Sequence, residues 1–205
     1  IEDNLIKYAK VQKDKDNVKI EAFGTKFYEN IQQAIDQIVS ETNSSKIPIS
    51  INLSEEYYDY FSYFALLNKN ALKKSIDIDF EMLCSEKGVN KDDMERKNIF
   101  ALDQDDAQKM KAINVSIEKN TLDSKKALFE KYNLATIEPL PIGIMNLIKL
   151  NNDSNELIVN MEEKTTLTFC ENGQIDKIDE IETSIMETIR EISKQENSQT
   201  KAYEI

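Results

Sequence analysis

The sequence predicts an α/β protein with a small α+β module inserted into it, and three observations carry that reading. The chain opens with two stretches of alternating apolar and polar residues, 5–11 and 18–24, around a charged turn, and a helical pattern follows at 28–41. Between residues 54 and 132 the texture changes, and the order strand, helix, strand, strand, helix makes a module of its own. Past a polar break at 151–155, the strand 165–170 ends in Asn172-Gly173, a pair that supplies the positive φ a tight hairpin needs.

Each element has its own signal. In the opening hairpin, 18–24 alternates strictly, and 12–17 is charged and turn-forming. The helix at 28–41 places Ile31, Ala34, Ile35 and Ile38 on one face. Ser44, Ser45 and Lys46 break it, and 47–53 reads as a strand with Ile49, Ile51 and Leu53 pointing one way. The run 57–67 is aromatic and β-prone. Residues 71–84 are helical, with Leu72, Ile76, Phe80 and Leu83 on a stripe, and 91–95 is a polar linker. Strands follow at 98–103 and 111–118, antiparallel across an acidic turn at 104–108. Thr121 or Asp123 is expected to cap a helix running through Leu122, Ala127, Leu128 and Tyr132. Residues 134–139 read as a strand, and Pro141 suits the first turn of a helix at 141–149. A strand at 157–160 and a polar turn at 161–164 lead into 165–170, where Leu167 and Phe169 share one face and Thr166 and Thr168 the other. Ile178, Ile181, Ile185, Ile189 and Ile192 predict a final helix over 177–195, packed on the sheet of the second half. No internal repeat is visible.

Composition excludes several functions. The 205 residues carry a net charge of -12, which opposes non-specific nucleic-acid binding and docking on anionic lipid through a broad basic patch. There are no histidines, so Ser-His-Asp and Cys-His catalysis and His-ligated zinc are excluded. Cys84 and Cys170 stand far apart without a C-x-x-C pattern and read as buried thiols of a reducing compartment. No apolar stretch approaches the ~20 residues of a membrane-spanning helix. The acidic run at 103–106 lacks the glycine and glutamate of a calcium loop, and Glu55-Glu56 and Asp92-Asp93 are sequence neighbours rather than a spaced acid–base pair. No catalytic residue and no metal ligand is expected.

The order of elements, the run Glu21-Ala22-Phe23-Gly24, the run Lys131-Tyr132-Asn133-Leu134-Ala135-Thr136-Ile137-Glu138-Pro139 and the hairpin at 157–175 resemble the actin-like proteins of bacterial envelope machines. These are the PilM-type assembly proteins of type IV pili and their FtsA-type division relatives. The resemblance implies an actin-like (ribonuclease H-like) mixed sheet with an inserted small α+β subdomain. The first actin-like subdomain would comprise 1–53 and 133–150, the insert 54–132, and the start of a second subdomain 151–205. The chain opens on Ile1 rather than methionine and is expected to be the first half of a longer protein.

The family's phosphate loops have departed here. The resemblance places the first at Asp3 and Asn4, where no glycine stands, and the second at Asn160, Glu162, Thr165 and Thr166. The family has an aspartate where Asn160 stands, which would help order Mg2+, and a glycine where Glu162 stands, which lets backbone N–H groups approach phosphate. Two like unit charges about 4 Å apart repel by roughly 4 kcal/mol at an effective dielectric of 20, so a carboxylate there opposes ATP. The expected function is that of a cytoplasmic scaffold, peripheral at the inner face of the membrane, in a type IV pilus assembly complex. It would bind the cytoplasmic tail of an inner-membrane protein, with little or no ATP hydrolysis. Tyr58, Tyr60, Ile99 and Phe100 are the expected partner-binding residues. A Mg-ATP-dependent switch and an FtsA-like division protein are the alternatives, and a homo-oligomer stays open. If the strand at Ile6 pairs with those at Val18 and Ile49 in one sheet, an acidic binding domain unrelated to actin is excluded.

Overall fold

The structure is a computed structural model that describes residues 4–14, 17–103, 106, 108–145, 148, 153–162, 164–181 and 185–196. Strand β1 (Leu5–Asp14) turns back into β2 (Asn17–Phe27), and Glu21 bulges out of the second strand because Lys10 faces Ala22 while Val11 faces Ile20. Helix α1 (Ile31–Glu41) starts later than its apolar pattern, because Asn30 takes the cap and its Oδ1 accepts from the Gln33 N–H at 3.0 Å. Its buried stripe, Ala34, Ile35, Ile38 and Val39, packs with Ile6, Ile51 and Phe129 into the core of this part.

Strand β3 (Ile49–Leu53) pairs in parallel with β7 (Leu134–Pro139), Ile51 facing Ile137. Everything between them is an excursion. It contains β4 (Tyr57–Phe64), α2 (Lys69–Glu86), a 3-10 turn at Lys91–Asp93, β5 (Met94–Leu102), β6 (Lys109–Glu118) and α3 (Lys119–Ala127). The strands form an antiparallel sheet in the order β4-β6-β5, and α2 buries Ile76, Phe80 and Cys84. After β7 come α4 (Leu140–Met145), β8 (Asn155–Met161), β9 (Thr165–Glu171), β10 (Gln174–Ile181) and α5 (Ile185–Glu196). The last three strands form a separate antiparallel sheet, β10-β9-β8.

Several expectations are corrected. The isoleucine pattern at 177–195 is not one helix: Gln174–Ile181 is strand β10, because the Asn172-Gly173 turn, with φ of 50° and 76°, returns the chain onto β9. The helix begins at Ile185, and its Ile189 and Ile192 pack with Leu5 and Phe27 of the opening hairpin, a contact the sequence reading did not foresee. Helix α3 has Glu118 at its N-cap with no side-chain bond, so neither Thr121 nor Asp123 caps it, and it ends at Ala127 before Leu128 and Tyr132. Strand β5 begins at Met94, four residues before the expected start, once the 3-10 turn has closed the linker. The single-sheet expectation is met in part: β1 pairs with β2, but β3 pairs with β7 and not with β1. The expected helix at 141–149 and the turn at 104–108 lie partly outside the described residues.

Phe80 is 1% exposed and sits with Cys84 and Met94 at the centre of the excursion's core, with the Arg96 guanidinium 4.6 Å over its ring. Phe80→Ala removes that packing and is expected to destabilise the protein by about 3–5 kcal/mol, read from urea midpoints.

Candidate functional site

The candidate site lies where the β8–β9 turn meets the start of β1. Strands β8 and β9 set Asn160 opposite Thr166 and Met161 opposite Thr165, and the Glu162 N–H bonds the Lys164 carbonyl at 3.2 Å to close the turn. Period two sends Thr166, Thr168 and Cys170 to one face of β9. That polar face is the buried one: Thr168 is 2% exposed, while Leu167 and Phe169 on the other face are half-buried. Helix α4 covers part of it, with the Met145 sulfur 3.6 Å from Cys170 Sγ.

The two hairpins are tied together by charge. Lys7 of β1 bonds the Glu162 carboxylate. On the far edge of the same turn, Lys164 lies 3.3 Å from Glu180 of β10. The Glu162 carboxylate is therefore already matched with a lysine. Among the described residues, the buried Asn4 Oδ1, Asn160 Nδ2 and Thr166 Oγ1 have no hydrogen-bond partner. Each such orphan costs on the order of 1–3 kcal/mol. Thr165 is buried as well. Asp3 lies outside the described residues.

These residues do not fit a phosphate group. The turn presents a carboxylate in place of a bare backbone approach, and the threonine hydroxyl that could reach an anion is sealed from solvent. No group of three or more metal-ligating side chains comes together among the described residues. Both cysteines are free and buried, and burial pushes their thiols up, which makes them poor nucleophiles.

The expected partner-binding residues divide. Cross-strand register puts Tyr60, Ile113 and Ile99 in one row across the β4-β6-β5 sheet, with Tyr58 on the same face. Phe100 faces Ala112, on the opposite side, and is exposed. The tyrosines are engaged. Tyr58 Oη donates to Glu56 at 2.5 Å. Tyr60 Oη accepts from the Ile178 N–H at 2.7 Å and donates to its carbonyl at 2.5 Å, which fastens the excursion to β10. Lys111 bonds Asp176 beside it. Burial pushes the Tyr60 hydroxyl up to about 12, so it is a neutral donor throughout the physiological range.

Sequence reasoning missed Lys7 and Glu56. Lys7 reads as one exposed lysine among many, and its partner is 155 residues away. Glu56 reads as half of a solvated pair, yet it is 3% exposed. Burial pushes its carboxyl up, the Tyr58 bond pulls it down, and Glu180 and Glu55 push it up again; the net shift is upward. Asp36 shows the opposite case at the surface: bonds from Lys131, Tyr132 and Gln32 hold its carboxyl at about 2.

No protein-family model matches the sequence, and no curated protein does. Solved structures do match its fold. Over 98% of this chain it superimposes on a chain of a PilM-PilN type IV pilus biogenesis complex, with a TM-score of 0.74 at 10% identity, and it spans 66% of that chain's length. It matches the cytoplasmic domain of EpsL, an inner membrane component of the type II secretion system of Vibrio cholerae, with a TM-score of 0.60 at 9% identity, over 87% of this chain and 67% of that one. A Bacteroides thetaiotaomicron protein with an actin-like ATPase fold matches at a TM-score of 0.38 and 13% identity, over 89% of this chain and 69% of that one, too distant to weigh. The mixed α/β fold is the one shared with the first two of these structures. Among the described residues, no helix is long and apolar enough to cross a membrane.

Glu56 generates a prediction. Its folded carboxyl lies above the ordinary value of 4.5, so its contribution to stability is fullest below that value and is lost as pH rises through the folded one. Glu56→Gln removes this loss. The variant is expected to be more stable than the natural protein at pH 7, with the difference shrinking as pH falls towards about 4, measured as urea midpoints across the series.

Proposed function

We propose that this protein is a scaffold of a type IV pilus assembly machine, working on the cytoplasmic side against the inner membrane and holding the cytoplasmic tail of a membrane protein. The observation that carries the reading is the match over 98% of the chain to a chain of a PilM-PilN complex. The match to the cytoplasmic domain of EpsL supports the same setting, since that protein is an inner membrane component of a secretion system.

Little or no ATP hydrolysis belongs to this reading. Asp3, Asn4, Asn160, Glu162, Thr165 and Thr166 form a retired nucleotide site. An acid that would help order Mg2+ has become an amide, a glycine has become Glu162, and Lys7 neutralises that carboxylate from the neighbouring hairpin. The tail would lie beside the accessible parts of Tyr60 and Ile99, at the rim where the excursion meets β10, on the face that also carries Tyr58, with Phe100 a further contact exposed on the opposite face. Large, stiff aromatic side chains with a polar end suit a peptide groove of this kind. A subdomain pattern of 1–53 with 133–150, an insert of 54–132 and a second unit from 151 follows from the same reading.

The test is calorimetric titration of Mg-ATP into the whole protein, with Glu162→Gly alongside. The natural protein is expected to show no saturable heat up to about 1 mM, and the variant to gain weak binding. Binding by the natural protein at micromolar concentration would replace the scaffold with a Mg-ATP-dependent switch of the same fold.

A further inference from the structure

The opening hairpin has an apolar face that is covered at its stem and exposed toward its turn. Register sets Leu5 opposite Phe27, Ala9 opposite Phe23, Val11 opposite Ile20 and Lys13 opposite Val18, and period two along β1 puts all of these on one face. The bulge at Glu21 makes this possible. Without the extra residue, Phe23, three positions past Ile20, would point to the other face. At the stem, Ile189 and Ile192 of α5 pack with Leu5 and Phe27. Toward the turn, Val11, Val18 and Ile20 are exposed, and Phe23 is 79% exposed. Single apolar side chains at a surface are ordinary, but four large ones gathered on one face mark a contact.

The hairpin also differs in charge from the rest of the chain. Residues 5–27 hold six lysines against Asp14, Asp16 and Glu21, a net +3 in a protein of -12. Lys10 bonds the Glu21 carboxylate at 3.0 Å, which neutralises the one acid between Ile20 and Phe23. Lys7 and Lys26 are bonded to Glu162 and Glu41. Lys13, beside Val18 on the apolar face, and Lys19, on the far side of β2, are exposed and pair with no other described residue. Protruding apolar side chains flanked by uncommitted lysines are the complement of a bilayer with anionic headgroups.

We infer that this face docks on an anionic lipid bilayer. Val11, Val18, Ile20 and Phe23 enter the boundary between headgroups and acyl chains. Lys13 reaches up its own stem to lipid phosphate, and Lys19 adds attraction within a Debye length. The inference rests on the setting proposed above, at the inner face of the membrane, and names the surface that meets the lipid. The charge of the rest of the chain opposes anionic lipid, so the contact is confined to the hairpin and is weak and reversible by itself. Joined to a hold on a membrane protein's tail, it acts as the second of two linked anchors.

Vesicle flotation of the whole protein tests this, with phosphatidylcholine alone and with roughly 30% phosphatidylglycerol added. Binding is expected to be at least ~10-fold stronger to the anionic vesicles and to weaken as salt rises. Lys13→Gln is expected to lower it by about 5-fold. Ile20→Thr with Phe23→Ser is expected to lower it at least ~10-fold with an unchanged urea midpoint, since both side chains are exposed. No preference for anionic vesicles, or full binding by the double variant, overturns the inference. So does self-association that the double variant abolishes, which would give the face to a second copy. A cysteine placed by Phe23→Cys that resists a water-soluble thiol reagent before vesicles are added also overturns it, by giving the face to another part of the chain. Capture of a membrane protein's tail in detergent, where no bilayer exists, reads the scaffold separately. Capture without vesicle binding defeats this inference alone, and vesicle binding without capture supports it while defeating the scaffold.

Discussion

The parallel pairing of β3 with β7 is the constraint on which the rest depends. It brings Ile51 against Ile137 although most of a module lies between them in sequence, so residues 54–132 must leave the first sheet and return to it. A parallel pair needs a long crossover, and here the crossover has become a folded unit with its own sheet and core. Phe129, just past α3, returns to the first core beside Ile35 and Ile38, which anchors the exit of the excursion where its entrance began. The excursion is anchored a second time by Tyr60, whose hydroxyl takes both backbone groups of Ile178. A module fixed at its stem and at one face is held at a set angle over the second sheet.

Charge does the remaining fastening, in a protein whose net charge is -12. Lys7 with Glu162, Lys111 with Asp176 and Lys131 with Asp36 each join residues distant in sequence. Exposed pairs of this kind contribute about 0–1 kcal/mol each, so they set register and angle more than stability. At Glu162 the pairing also joins the β8–β9 turn to the opening hairpin. Among the described residues, Asn160 Nδ2 and Thr166 Oγ1 beside that turn are buried without a hydrogen-bond partner.

What was legible in the sequence was local. Alternation at 18–24, the apolar face of α1, the strand at 134–139 and the Asn172-Gly173 turn all depend on neighbours within a few residues, and they hold. The split of the last isoleucine run does not, because Ile178, Ile181 and Ile185 are spaced as a helix while pairing with β9 decides that the first two lie in a strand. The burial of the threonine face was hidden for the same reason: period two sorts side chains into faces, and only the layer above, α4 with Met145, says which face is inside. Of the candidate site, Asn160, Glu162, Thr165 and Thr166 were found by their place in a hairpin, whereas Lys7 and Glu56 owe their roles to contacts across the fold.

The central claim is that this protein holds a membrane protein's tail and does so without a nucleotide. Placing a photo-activated cross-linking residue at position 99, at the end of the Tyr60, Ile113 and Ile99 row, tests it most directly, in cells at native expression and again after ATP depletion. The account predicts one cross-linked inner-membrane protein, joined through its cytoplasmic tail, in equal yield under both conditions. A cross-link that vanishes with ATP, or none to any membrane protein, would contradict it.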